Sequence, residues 1–190
     1  MGLDSYVYRV SKPEGLEDRV YSSDEFYAMG LTAIPAEFQD EPSICELKPY
    51  CVDMRIEMPY ANMEKICADY GFGESAEIVA RKSNGSIVVC EKNDDGTEHS
   101  LELSGAEVRE KYLLNRVEDY IAFRKESVAY WRKDYDVSGF FMESHEGGIE
   151  NTGYYILDLD TILKFNSIFA DELPLEEPGA KSALFYWEWY

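Results

Sequence analysis

The stretch Ser127–Met142, SVAYWRKDYDVSGFFM, constrains the rest of the chain most. It gathers Tyr130, Trp131, Tyr135, Phe140, Phe141 and Met142 around the basic pair Arg132 and Lys133. Each large aromatic side chain buries roughly 150–250 Å², so this segment must lie against other apolar surface. Val128, Trp131, Tyr135 and Met142 recur close to the helical period. That spacing predicts a helix with one buried face and Trp131 in the core.

Charge narrows the choice of partners. Against 18 lysines and arginines stand 38 aspartates and glutamates, a net charge of −20 over 190 residues. Such a surface repels nucleic acid and anionic membrane and attracts basic proteins. Hydrophobic residues still make up 45% of the chain, enough to fill a core and to exclude disorder. The plainer reading of the acids is solubility, and the sharper one is that they are themselves the binding determinant.

The four cysteines, Cys45, Cys51, Cys67 and Cys90, form no C-x-x-C pair, and His99 and His145 stand at no ligand spacing to them. Neither a zinc site nor a cofactor is expected. Buried, reduced thiols, no apolar leader and no spanning segment together suggest a cytoplasmic protein. Gly2 lacks the serine or threonine at position 6 that myristoylation requires, since Tyr6 stands there.

In chain order, Tyr6, Tyr8 and Val10 alternate as in a strand. Ser22-Ser23-Asp24-Glu25 reads as a capping box opening a short helix that Gly30 stops. Tyr50 to Met58 alternates most cleanly, a strand that Pro59 should end. A helix follows from Asn62, with Met63, Ile66, Cys67 and Tyr70 inward and Gly71 closing it. Residues 76–103 read as a three-stranded meander turning at Asn84-Gly85 and Asp95-Gly96. Ser104 to Glu107 is a second capping box, for a helix reaching about Arg116. VEDYIAFRKES is ambiguous between helix and strand. YYILDLD reads as a strand, Thr161 to Phe169 as a short helix, and LFYWEWY as a buried terminal strand or an interface segment.

These elements predict an α+β fold: a mainly antiparallel sheet with helices packed on one face, in a single domain spanning 1–190. The meander at 76–103 is a candidate subdomain. Glu37, Asp40 and Glu41, and then Glu172, Glu176 and Glu177, are the candidate binding residues. Both groups lie in proline-bearing loops with few bases nearby. Asp4, Asp158 and Asp160 raise the alternative of a metal-dependent hydrolase, because Asp-x-Asp can hold Mg²⁺. No nuclease-like D/E-x-K follows a strand, and no catalytic residue is assigned.

Met1-Gly2-Leu3-Asp4-x-Tyr6-x-Tyr8-Arg9 and Val128-Ala129-Tyr130-Trp131-Arg132-Lys133 resemble a family of small bacteriophage and prophage proteins. The family start reads MGLDMYLY and its middle EVAYWRKANxIHxWF. Gly153-Tyr154-Tyr155, Asp158-Leu159 and the terminal Phe185 to Tyr190 are also similar to family elements. The chain departs at Val137-Ser138, where the family has Ile-His. The resemblance implies phage origin. With so acidic a chain, it implies likeness to phage inhibitors of host defence, including anti-CRISPR proteins. Rows of carboxylates can occupy a cationic channel built for phosphates. The expected partner is then a basic protein such as an RNA-guided nuclease. A regulatory or structural phage protein is the further alternative.

Overall fold

The computed structural model describes residues 3–93, 95–176 and 180–190. The chain divides into two compact units, Met1–Ile56 with Glu118–Tyr190, and Glu57–Val117. The fold is α+β, as the sequence pattern predicts.

The first unit is built on a seven-stranded sheet. Its strands are β1 (Asp4–Ser11), β2 (Val20–Ser22), β3 (Thr32–Pro35), β4 (Val52–Ala61), β8 (Leu113–Arg132), β9 (Tyr155–Ile156) and β10 (Ser182–Trp189). They run in the order β2-β4-β8-β1-β10-β9, with β3 also on β8. β1 lies antiparallel to both β8 and β10, so the opening residues are held between two long strands. The expectation of a buried terminal strand is met: Ala183 to Tyr186 are all buried.

Alternation along these strands separates two apolar clusters, because successive side chains point to opposite sides. One joins Val7, Trp131, Leu184 and Tyr186 to helices α5 (Tyr135–Ser144) and α6 (Leu159–Ile168), through Val137, Phe141, Ile162 and Phe165. The other joins Val10, Ile121, Phe123, Ala183 and Phe185 to Ile44 of the short helix α2 (Pro42–Cys45) and to Leu47. Asp134 and Asp158 cap α5 and α6, accepting from Val137 N at 3.1 Å and Thr161 N at 2.7 Å. Ser22 and Glu25 form the expected capping box of α1 (Ser23–Ala28).

In the second unit, Asn62 caps α3 (Met63–Tyr70) and Gly71 ends it at φ 73°. A side chain at Gly71 would be strained in that left-handed conformation. The meander is β5 (Glu77–Arg81), β6 (Ile87–Lys92) and β7 (Glu98–Leu103), in order and antiparallel. Its core packs Ile66 and Phe72 on Ile87, Val89, Leu103, Val108 and Tyr112. The first hairpin closes through Lys82 and Ser86, with Gly85 at φ 83°. This is the three-residue loop that needs a left-handed glycine.

Four expectations are corrected. Ser127–Arg132 is the end of the twenty-residue strand β8, and the helix begins only at Tyr135. Lys133 at φ 57° turns the chain between them. The apparent helical spacing straddles that boundary, so Tyr135 and Met142 are 69% and 44% exposed while Trp131 is buried. Second, Pro59 does not end β4, which runs on to Ala61. Proline fits a strand wherever its missing N–H is not needed by the ladder. Third, the turn capped by Ser104, α4 (Gly105–Glu107) and five π-helical residues, ends at Tyr112 and not Arg116, because the chain enters β8 at Leu113. Fourth, only Cys51 and Cys90 are buried, Cys45 being exposed and Cys67 intermediate. Among the described residues no helix is long and apolar enough to cross a membrane.

Candidate interaction surface

The first acidic group lies on the helical turns that follow β3. Glu37, Asp40 and Glu41 are all exposed. Asp40 pairs with Lys48 at 2.8 Å, whereas no ion pair compensates Glu37 or Glu41 among the described residues. Next to this turn, Tyr154 N donates to Ser43 O at 3.3 Å and Ile156 N to the Glu46 carboxylate at 2.8 Å, fixing the segment to the sheet.

The second group is not a free cluster. Glu172 is exposed, but Glu176 accepts from Arg9 Nε at 2.9 Å and from Ser182 Oγ at 2.7 Å. Those bonds hold its carboxyl below the ordinary carboxylate range against the opposing effect of burial. Arg9 also pairs with Glu126 at 3.0 Å. Glu177 lies outside the described residues. No hydrogen bond or ion pair joins the two acidic groups among the described residues. The charge surplus belongs mainly to the first unit: 26 of the 38 acids and 11 of the 18 bases lie there, against 12 and 7 in the second.

Sequence reasoning missed an aromatic surface on the same side of the sheet as α2. Tyr6 stacks with Tyr8 at 5.4 Å between ring centroids and lies 4.7 Å from Tyr130 and 5.5 Å from Trp187. Tyr130 is 49% exposed and donates to Asp4 Oδ1 at 2.9 Å. Trp187 Nε1 donates to Thr152 O at 3.1 Å.

Strand register explains the assembly. Tyr6 stands opposite Tyr130 and Val10 opposite Lys125, four residues apart on β1 but five apart on β8. A regular strand would send Tyr130 and Lys125 to opposite faces. The bulge between Val7 and Tyr8 absorbs the odd residue and brings both to one face. Alternation at Tyr6, Tyr8 and Trp187 was visible in the sequence, but the bulge was not.

A groove of about 970 Å³ in the same unit is lined by Lys12, Arg19, Lys48 and Arg55 together with Asp53 and Asp119. Three of its cations are already taken: Arg19 by Glu17 and Glu25, Lys48 by Asp40 and Arg55 by Asp18. An anion entering there would have to break existing pairs. Cys51 on its wall has its thiol pushed up to about 11 by burial, so it is no ready nucleophile at neutral pH.

The acids of the hydrolase alternative have local roles. Asp4 receives Tyr130, Asp158 caps α6 and Asp160 lies in its first turn. Among the described residues no three His, Cys, Asp or Glu side chains converge as a metal-binding group. No family model, curated protein or solved structure matches the chain.

Proposed function

We propose that this chain is a phage-encoded acidic protein, acting in the host bacterial cytoplasm. It binds and inhibits a nucleic-acid-binding defence enzyme by occupying its cationic channel. The observation that carries this reading is the turn holding Glu37, Asp40 and Glu41, exposed and, among the described residues, compensated only by Lys48. On the face of the sheet where α2 packs lies an aromatic strip of Tyr6, Tyr130 and Trp187. Carboxylates supply long-range attraction for a basic channel, and tyrosine and tryptophan are the residues that anchor interfaces at short range. In this reading α5 and α6 form the helical layer on one face of the large sheet, and the partner meets the other. The resemblance of the opening residues and of VAYWRK to phage and prophage proteins supports the same origin.

The test uses purified RNA-guided nucleases. Adding the protein should block guide or target loading, and nucleic acid should compete with it. Affinity should fall steeply between about 50 mM and about 200 mM salt, as it does for phosphate contacts in such channels. Affinity that is flat with salt, or a complex holding this protein and nucleic acid together without competition, would overturn the reading.

A further inference from the structure

The two turns of the meander close with the same three hydrogen bonds. In the first, Lys82 N donates to Ser86 O, Gly85 N to Lys82 O and Ser86 N to the Asn84 side-chain oxygen, each at 2.9 Å. In the second, Asn93 N donates to Thr97 O, Gly96 N to Asn93 O and Thr97 N to the Asp95 carboxylate, again at 2.9 Å. The glycines match as well, at φ 83° for Gly85 and 82° for Gly96. One turn carries an amide where the other carries an acid, and the same bonds serve both.

An asparagine followed by glycine readily loses its side-chain amide, because glycine has no Cβ to hinder attack by its own nitrogen. The reaction needs the Gly85 nitrogen free and the Asn84 side-chain carbon within its reach. Both residues are exposed to water, yet the folded turn holds each reacting group. The Gly85 N–H is engaged by Lys82 O and the Asn84 side-chain oxygen by Ser86 N. The turn also rests on its neighbours. A methyl group at Gly105 of α4 would collide with Asn84 O, and one at Gly85 would lie 3.2 Å from Arg109 Nη1. At Gly96, in the second turn, a methyl group would meet nothing within 4 Å.

We propose that Asn84 is a modification site gated by the fold, which deamidates when its turn lifts off α4 and stays intact while the turn is closed. On opening, the Gly85 nitrogen gives its proton to solvent and bonds to the Asn84 side-chain carbon. The amide nitrogen of that carbon takes up a proton and leaves as ammonia, and a succinimide ring remains. Water then opens the ring. Attack at the side-chain carbonyl gives aspartate, and attack at the backbone carbonyl gives isoaspartate. Aspartate keeps the oxygen that accepts from Ser86 N and closes the turn as Asp95 does. Isoaspartate routes the main chain through the side chain, lengthens it by a carbon and loses that register. This inference does not depend on the identity of any protein partner.

The test is incubation of the intact protein at mildly alkaline pH, in buffer and in denaturing urea, with peptide mass spectrometry following conversion at Asn84. The folded protein should convert more slowly by about tenfold or more, a protection that an opening free energy of about 1.4 kcal/mol supplies. Gly105→Ala, checked for folding by circular dichroism, pushes on Asn84 O. It should speed conversion several-fold in buffer and leave the rate in urea unchanged. Low urea loosens the turn without a substitution, so the parent's rate should rise before global unfolding begins. Asn84→Asp should melt at the parent's temperature, because aspartate closes the same turn. Equal rates in buffer and denaturing urea overturn the gating, as does a rate that rises only with global unfolding. A folded Gly105→Ala that converts no faster than the parent overturns the part given to α4, and a lowered Tm for Asn84→Asp overturns the part given to the product.

Discussion

The strands β8, β1 and β10 carry two aromatic assemblies on opposite sides, and they differ in what surrounds them. On one side Phe141 stacks on Tyr186 at 4.1 Å and on Phe165 at 5.3 Å, and Trp131 lies 5.5 Å from Phe165. Phe141, Phe165 and Tyr186 are buried, and helical residues close the stack. On the other side Tyr6, Tyr130 and Trp187 make contacts of similar length, yet Tyr130 remains half exposed and a lysine lies among the rings. Composition is therefore not what separates core from surface here. Parity along the strand decides which side an aromatic faces but not whether it is sealed, since Phe123 and Phe185 are buried on the side where Tyr130 is half exposed. The bulge decides that Tyr130 and Lys125 share that side.

Replacing Trp131 by Ala breaks this comparison most severely. It removes a buried ring in contact with Phe141 and Phe165 and leaves Asp171, which accepts its indole N–H at 2.9 Å, without that donor. The expected loss is about 3–5 kcal/mol in chemical denaturation. A loss below about 0.5 kcal/mol, the size of an ordinary surface change, would mean that this side is not the core.

Tyr186→Phe asks whether the sealed side tolerates an unmet polar group. Tyr186 Oη donates to Glu188 Oε2 at 2.7 Å and lies 3.0 Å from Ser5 Oγ, while Ser138 Oγ gives Glu188 its other bond at 2.9 Å. Glu188 Oε1 has no partner among the described residues. Removing one hydroxyl takes a bond from a carboxyl group that is only 1% exposed. The cost should be about 1–3 kcal/mol by the same measurement, whereas a stabilised variant would show that the network is merely tolerated.

Tyr130→Ala probes the open side. Its ring contact with Tyr6 is worth about 0.5–1.5 kcal/mol, and its bond to Asp4 is exposed. Stability should fall by about 1 kcal/mol, well short of Trp131→Ala. A loss as large as that of Trp131 would erase the distinction between the two sides.

What the sequence shows of this design is mostly local. Capping at Ser22, Asn62 and Ser104, the stop at Gly71 and the turn at Asn84-Gly85 depend on neighbouring residues, and all appear where their chemistry requires. Ser127–Arg132 depends on distant ones. It is a strand because β1 pairs with it across more than a hundred residues, and no local period reports that pairing. The acidic turn at 37–41 was legible as exposed charge, but the capture of Glu176 by Arg9 was not. That bond joins positions 167 residues apart.

The smallest expected change in stability is the one that bears most on function. Glu37→Lys with Glu41→Lys alters two exposed side chains that no ion pair engages. Unfolding free energy should move by no more than about 0.5 kcal/mol. Association with a basic nuclease should instead slow, and its salt dependence should become shallower, because exposed charges act through a field screened over about 8–10 Å. Glu176→Lys is the internal control. It would place a cation against Arg9 and should destabilise the fold, so any loss of binding there would trace to folding and not to recognition. Stopped-flow association rates across a salt series separate the two effects. If reversal at 37 and 41 leaves both the rate and its salt slope unchanged, the acidic turn is only solubilising. Recognition would then fall to the aromatic strip, and Tyr130→Ala would become the variant whose association rate decides the matter.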